Sequence, residues 1–216
     1  MLLNRNPTQR LILIGLMVLT SSGCSRVLLD ERFHDERLMN WVVVDDSETV
    51  EGPSDWRVVS GGVQQLSNIW GRRGDFIGRW YGTFLIAGDV GWSDYTFQLK
   101  VKPVDDDGFG VVFRWTDEEH FYRLLFVQDG FNGGPITRLD KRDGADYTEL
   151  WSAPRGYKPG IEAAIQVQVD GDMVTARVDG RELFKVKDGS YRRGKIGLFC
   201  YAQNGQSFDD VRVSGQ

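Results

Sequence analysis

The side chains of this chain that could do covalent or acid–base chemistry are few and scattered. The densest acidic clusters are Asp105-Asp106-Asp107 and Asp117-Glu118-Glu119. Retaining glycoside hydrolysis needs two carboxyl groups about 5–5.5 Å apart, a spacing that alternate positions on one strand can supply. No strand-like run here reads Glu-x-Asp-x-Glu or a near variant, and three consecutive acids in a turn diverge into solvent. The two histidines, His34 and His120, stand beside acidic residues at the ends of runs, as surface histidines do. The pattern argues against an enzyme.

Binding chemistry is better supplied. There are seven tryptophans, and Trp70, Trp80, Tyr81 and Trp92 fall in glycine-rich, loop-like sequence, whereas Trp41, Trp56 and Trp115 suit a core. Exposed aromatic faces stack on the apolar faces of sugar rings, while Arg or Asn donates hydrogen bonds. Trp80, Tyr81 and Trp92 are therefore candidate ligand contacts, together with Tyr122 and Arg114. Arg114 interrupts the apolar run Val111-Val112-Phe113 before Trp115. A buried, unpaired guanidinium is very costly, so Arg114 must reach a ligand, a groove or an acid such as Asp140.

The elements that would position these residues are strands. Gly108–Thr116 and His120–Gln128 are rich in β-branched and aromatic residues and flank the acidic break at 117–119, which reads as a hairpin. Similar runs recur at Val27–Phe33, Trp41–Asp45, Trp56–Val59, Val63–Ser67, Gly82–Ala87 and Tyr95–Val101. Others follow at Ile136–Lys141, Tyr147–Trp151, Ile161–Val169, Met173–Val178, Glu182–Val186, Lys195–Tyr201 and Val211–Val213. Asp170-Gly171 and Asp179-Gly180 mark hairpin turns. Ile165, Val167 and Val169 alternate with Gln166 and Gln168, so that strand has one buried and one wet face. No helix is expected. With 41% hydrophobic residues and 26 glycines, the chain suits many short strands around a sizeable core.

The acidic run followed by GFGVVFRW, a break and FYRLLF resembles the lectin-like carboxy-terminal module of thrombospondins. More broadly the chain resembles concanavalin A-like jelly rolls, including laminin G modules and family 16 glycoside hydrolases. The resemblance runs from about Leu28 to Val213 and includes WVVVDD at 41–46, GWSDYTF at 91–97, GKIGLFCYA at 194–202 and SFDDVRV at 207–213. It implies an all-β, two-sheet antiparallel jelly-roll sandwich. It also implies a structural calcium ion tying the first strand to the last, with Asp209 as the matching carboxylate; the amino-terminal partner's position, just before Phe33, holds Arg32, which leaves the preceding Glu31 as the candidate second ligand, and hard oxygen ligands suit that ion. A glycan-active hydrolase or lyase, or an envelope protein–protein module, is the alternative function. For a lyase, Tyr157-Lys158-Pro159-Gly160 is weakly similar to an alginate-lyase motif.

The amino terminus carries an address. Arg5 and Arg10 precede the uncharged run Leu11–Leu19, which ends in Thr20-Ser21-Ser22-Gly23-Cys24. A basic start, a short apolar core and small residues make a secretory signal, too short to span a bilayer. Gly23-Cys24 resembles the bacterial lipobox, which implies lipidation at Cys24, a signal peptide at 1–23 and one domain over 24–216. Several acyl chains hold a protein on a membrane. Ser25 after the cysteine favours the outer membrane of the cell envelope by the same resemblance. Cys200 then has no disulfide partner and reads as a buried strand residue. Loss of residues 1–23 removes two arginines and no acid, moving the net charge from −5 to −7, which argues against nucleic acid as a partner. The expected partner is a carbohydrate or an extracellular protein.

Overall fold

A computed structural model describes residues 25–35, 37–59, 61–71 and 79–215, and every regular element among them is a strand. In chain order these are β1 (Arg26–Glu31), β2 (Trp41–Asp45), β3 (Thr49–Val50), β4 (Trp56–Val59), β5 (Gly62–Gln65) and β6 (Trp70–Gly71). Then come β7 (Thr83–Ala87), β8 (Tyr95–Lys102), β9 (Gly108–Asp117), β10 (His120–Val127), β11 (Ile136–Asp143) and β12 (Asp146–Ala153). The last five are β13 (Ala163–Asp170), β14 (Met173–Val178), β15 (Arg181–Lys187), β16 (Lys195–Tyr201) and β17 (Gln206–Gly215).

Two antiparallel sheets result. The first runs β15-β14-β13-β8-β17-β5-β4, with β1 also on β17; the second runs β12-β11-β10-β9-β16-β7-β2. The expected two-sheet sandwich is borne out. So are its turns: β14 and β15 are joined by Asp179-Gly180, both at positive φ, the geometry a two-residue hairpin turn requires. The short pair β3–β6 was not expected, because two-residue strands leave no periodicity to read.

Between the sheets lies a core that includes Phe97, Val111, Phe113, Leu124, Ile165 and Val213. The second sheet is apolar on its outer face as well, where Phe84, Val112, Phe121, Leu125 and Phe199 form a separate cluster. Such a face must be covered, since apolar area removed from water is worth about 25 cal/mol per Å². Trp80 covers it, and Tyr81 is buried beside it. Their backbone is held from below by Arg123, which donates to the carbonyls of Trp80 (2.9 Å) and Arg79 (2.7 Å) and pairs with buried Asp140 at 3.0 Å. The expectation that Trp80 and Tyr81 present open platforms is therefore corrected: they are 2% and 3% exposed and serve as packing.

Arg114 is corrected for a different reason. The pairing of β9 with β16 slips between Lys195 and Ile196, so Arg114 is an extra, bulged residue, at φ 49°. The bulge turns its fully buried side chain toward the loops at one end of the sandwich. There the guanidinium donates to the carbonyls of Gly171 (2.7 Å), Tyr191 (2.9 Å) and Ser93 (3.2 Å). Gly194 is required opposite it, because a Cβ there would lie 2.3 Å from the Arg114 carbonyl carbon. Asp140, the acid suggested for Arg114, pairs with Arg123 and Arg138 instead.

Candidate functional site

Three strand ends meet at one end of the second sheet: the start of β9 and the ends of β10 and β16, with Gly108 paired to both Val127 and Tyr201. Around them lies an open cleft of about 350 Å³ lined by Asn68, Trp70, Asp107, Asp129, Phe131, Asn132 and Tyr201. Glycine lets Tyr201 approach: a Cβ on Gly108 would lie 3.1 Å from the Tyr201 ring.

The loop after β10 is built by its own residues. Asp129 accepts from the backbone N–H of Phe131 (2.9 Å) on one oxygen and of Asn132 (3.2 Å) on the other, the local turn that aspartate favours. Gly134 donates to the Asp129 carbonyl at 2.8 Å, and Trp80 Nε1 donates to the Asn132 carbonyl at 2.8 Å, fastening the loop to the buried cover. Gln128 donates to the Asp106 carbonyl at 3.0 Å, which joins the loop to the triple-aspartate turn. On this frame the Phe131 ring is 80% exposed, and Trp70 is half-buried.

The polar groups form a chain. The Tyr201 hydroxyl donates to Asn132 Oδ1 (3.1 Å), and Asn132 Nδ2 donates to Asp107 Oδ1 (2.8 Å). Burial, reinforced by the charges of Asp105, Asp106 and Asp129, pushes the Asp107 carboxyl up to about 7. Burial also raises the Tyr201 hydroxyl, so it stays a donor across the physiological range. Beneath the turn, the Tyr157 hydroxyl lies 2.9 Å from the Asp105 carbonyl and 2.7 Å from that of Asp107. The motif at 157–160 therefore braces this turn. The arrangement offers an aromatic face and carboxylate acceptors on one rim, positioned by the buried Asn132, whose amide is spent on Tyr201 and Asp107, and such a rim can hold a polyhydroxylated ring.

No protein-family model matches the sequence, and no curated protein matches it. Solved structures do. A carbohydrate-binding module, CBM66, from Bacillus subtilis superposes with a TM-score of 0.60 at 15% identity, covering 82% of this chain and 96% of that one. A Bacillus subtilis protein of unknown function with a galectin-like fold gives 0.64 at 10% identity, covering 88% and 97%. A chain described under endo-acting O-glycanases of prominent members of the human gut microbiota gives 0.60 at 12%, covering 88% and 99%. The fold is the two-sheet jelly-roll sandwich of these structures.

Within that jelly roll, the site expected from sequence is dispersed. Tyr122 is fully buried between the sheets and hydrogen-bonds Asp188, so it braces a loop instead of meeting a ligand. Trp92 is half-buried, edge-on to Tyr95 at 6.4 Å, and packs over Gly88. Of Trp70, Trp80, Tyr81 and Trp92, only Trp70 lines the cleft. Glu31 and Asp209 each accept a backbone N–H close by in sequence, from Phe33 and Asp210 at 2.7 Å, and Lys100 pairs with the neighbouring Asp210 at 2.8 Å. Cys24 and the signal segment lie outside the described residues. His34 is exposed and His120 bonds Asp117 at 2.7 Å, which builds no catalytic pair. Cys200 is buried, and burial pushes its thiol up, away from reactivity.

Asp129, Phe131 and Asn132 are not singled out as a site by the sequence. The one signal for the loop was a lone aromatic in Asp129-Gly130-Phe131-Asn132-Gly133-Gly134, where turn residues dominate and nothing local calls for an apolar ring.

Proposed function

We propose that the protein is exported, lipid-anchored at Cys24 in the bacterial cell envelope, and binds a neutral sugar of a glycan at the Trp70–Phe131 rim without cleaving it. The observation that carries this reading is the 80% exposed Phe131 ring held beside the Tyr201–Asn132–Asp107 chain of hydrogen bonds. An aromatic face costs free energy in water and gains by covering the C–H face of a sugar. Carboxylates accept from the ring hydroxyls. Asp105, Asp106, Asp107 and Asp129 together disfavour uronic, sulfated or sialylated rings by like charge. The carbohydrate-binding module among the structural neighbours supports the reading only through shared architecture. The test is retention of the purified protein on a glycan array, with neutral glycans expected among the hits and acidic ones absent.

A second reading, a glycan hydrolase, is favoured by one observation. Asp107 has a carboxyl raised to about 7 and shares the cleft with a second carboxyl, Asp129, and a general acid of this kind works beside a partner carboxylate. Reducing sugar released from a retained glycan would select that reading over binding alone.

A further inference from the structure

The sandwich is open along one side. Trp151 of β12 meets Phe184 of β15 with ring centroids 4.7 Å apart, but beyond this contact the two edge strands part. The gap is a cleft of about 520 Å³ that reaches the interior between the sheets, inside the roughly 300–1,000 Å³ range of small-molecule sites. Its floor is apolar: Phe109, Phe126, Ile165, Val178 and Leu183. The first two are stacked core rings, 5.1 Å apart.

The rim carries charge of both signs, and among the groups without an ion pair the cations outnumber the acids, Arg155, Lys158 and Arg181 against Asp179 and Glu162. Asp179 accepts from the Ala164 backbone at 2.9 Å, and Glu182 pairs with Arg177 at 3.4 Å. Glu162 and Asp179 form no ion pair among the described residues. Arg155, Lys158 and Arg181 are exposed cations at the cleft with no ion-pair partner among the described residues. An apolar floor below unpaired cations is complementary to a molecule with an apolar chain and an anionic head.

We infer that this cleft binds a single amphipathic anion, its chain between the sheets on Phe109, Ile165 and Leu183 and its acidic head at Arg155, Lys158 and Arg181. The cleft takes monomeric ligand and is separate from the aromatic rim, so glycan retention and this binding fail independently.

The test is calorimetric titration of the full chain carrying Cys24→Ser, so that no anchor lipid competes, with dodecanoate, dodecanol and dodecyltrimethylammonium as monomers. Saturable binding of one dodecanoate is expected, about tenfold or more tighter than either of the other two. Joint Arg155→Glu and Arg181→Glu substitution should weaken dodecanoate by at least about tenfold and leave dodecanol unchanged, while Arg193→Glu changes neither. Leu183→Trp should fill the cleft and abolish binding of all three. Because the arginine changes are on the surface, they decide the matter even if Leu183→Trp does not fold. Equal affinity for the three head groups, no effect of the paired arginine changes, no saturable dodecanoate binding, or binding to phosphatidylglycerol vesicles alone would each overturn the inference.

Discussion

Asn132 donates its side-chain nitrogen to Asp107 Oδ1 at 2.8 Å, and so joins the loop after β10 to the turn before β9. Two segments that are separate in sequence become one surface through this bond. Trp80 Nε1 on the Asn132 carbonyl anchors the same residue from the other side, at 2.8 Å. Asn132 is thus the pivot on which the exposed Phe131 is presented, and the predictions below depend on it or on the scaffold around it.

Asp107 makes the local stability depend on pH. Its carboxyl is raised to about 7, first by burial and then by Asp105, Asp106 and Asp129. The unfolded value is lower, about 3.9. A raised acid favours folding most at low pH, and that contribution disappears as pH rises from about 4 through about 7. Asp107→Asn should therefore raise the melting temperature at pH 8 and change it little at pH 4, as read by calorimetry at the two values. An equal shift at both would mean that Asp107 does not titrate in this window.

Arg114 belongs to the scaffold. Arg114→Ala strips a donor from three carbonyls, those of Ser93, Gly171 and Tyr191. Each buried group left unpaired costs about 1–3 kcal/mol. A loss of about 3 kcal/mol is expected, a drop in melting temperature of about 6–12 °C for a chain of this size. Arg114→Lys should not restore it, since one ammonium cannot reproduce the planar fork. Glycan retention measured well below the melting point should persist; its loss in folded Arg114→Ala would return Arg114 to the ligand.

Much of this scaffold was legible in the sequence. Trp41–Asp45, Trp56–Val59, Met173–Val178 and Lys195–Tyr201 are strands with the expected bounds, because β-branched and aromatic runs between turn residues leave little else for the chain to form. What could not be read was direction. A one-residue bulge sends Arg114 to the other side of its strand, and no local pattern announces a bulge. Trp80 and Tyr81 sit in loop-like sequence yet are buried, because the second sheet has an apolar outer face, a fact of how distant strands assemble. Phe131 is the converse case, an aromatic in a turn-rich loop that the fold leaves 80% exposed.

The membrane address has its own test. Cys24→Ser should move the protein from the membrane fraction to the soluble fraction, and mass spectrometry of the wild type should find an acylated amino terminus at Cys24. Several acyl chains, at about 0.8 kcal/mol per buried CH₂, make release without the cysteine close to complete. An unmodified Cys24 in a soluble wild-type protein would contradict the anchor.

The central claim is that Phe131 and its neighbours form a sugar-binding rim, and the most direct measurement is glycan retention by Phe131→Ala beside its melting temperature. Phe131 is 80% exposed, so its removal should shift the melting temperature by no more than a few degrees. Stacking on the ring is predicted to be worth about 1–2 kcal/mol, so affinity for the glycans that retain the wild type should fall about five- to thirtyfold. Unchanged retention by a folded Phe131→Ala protein would contradict the account.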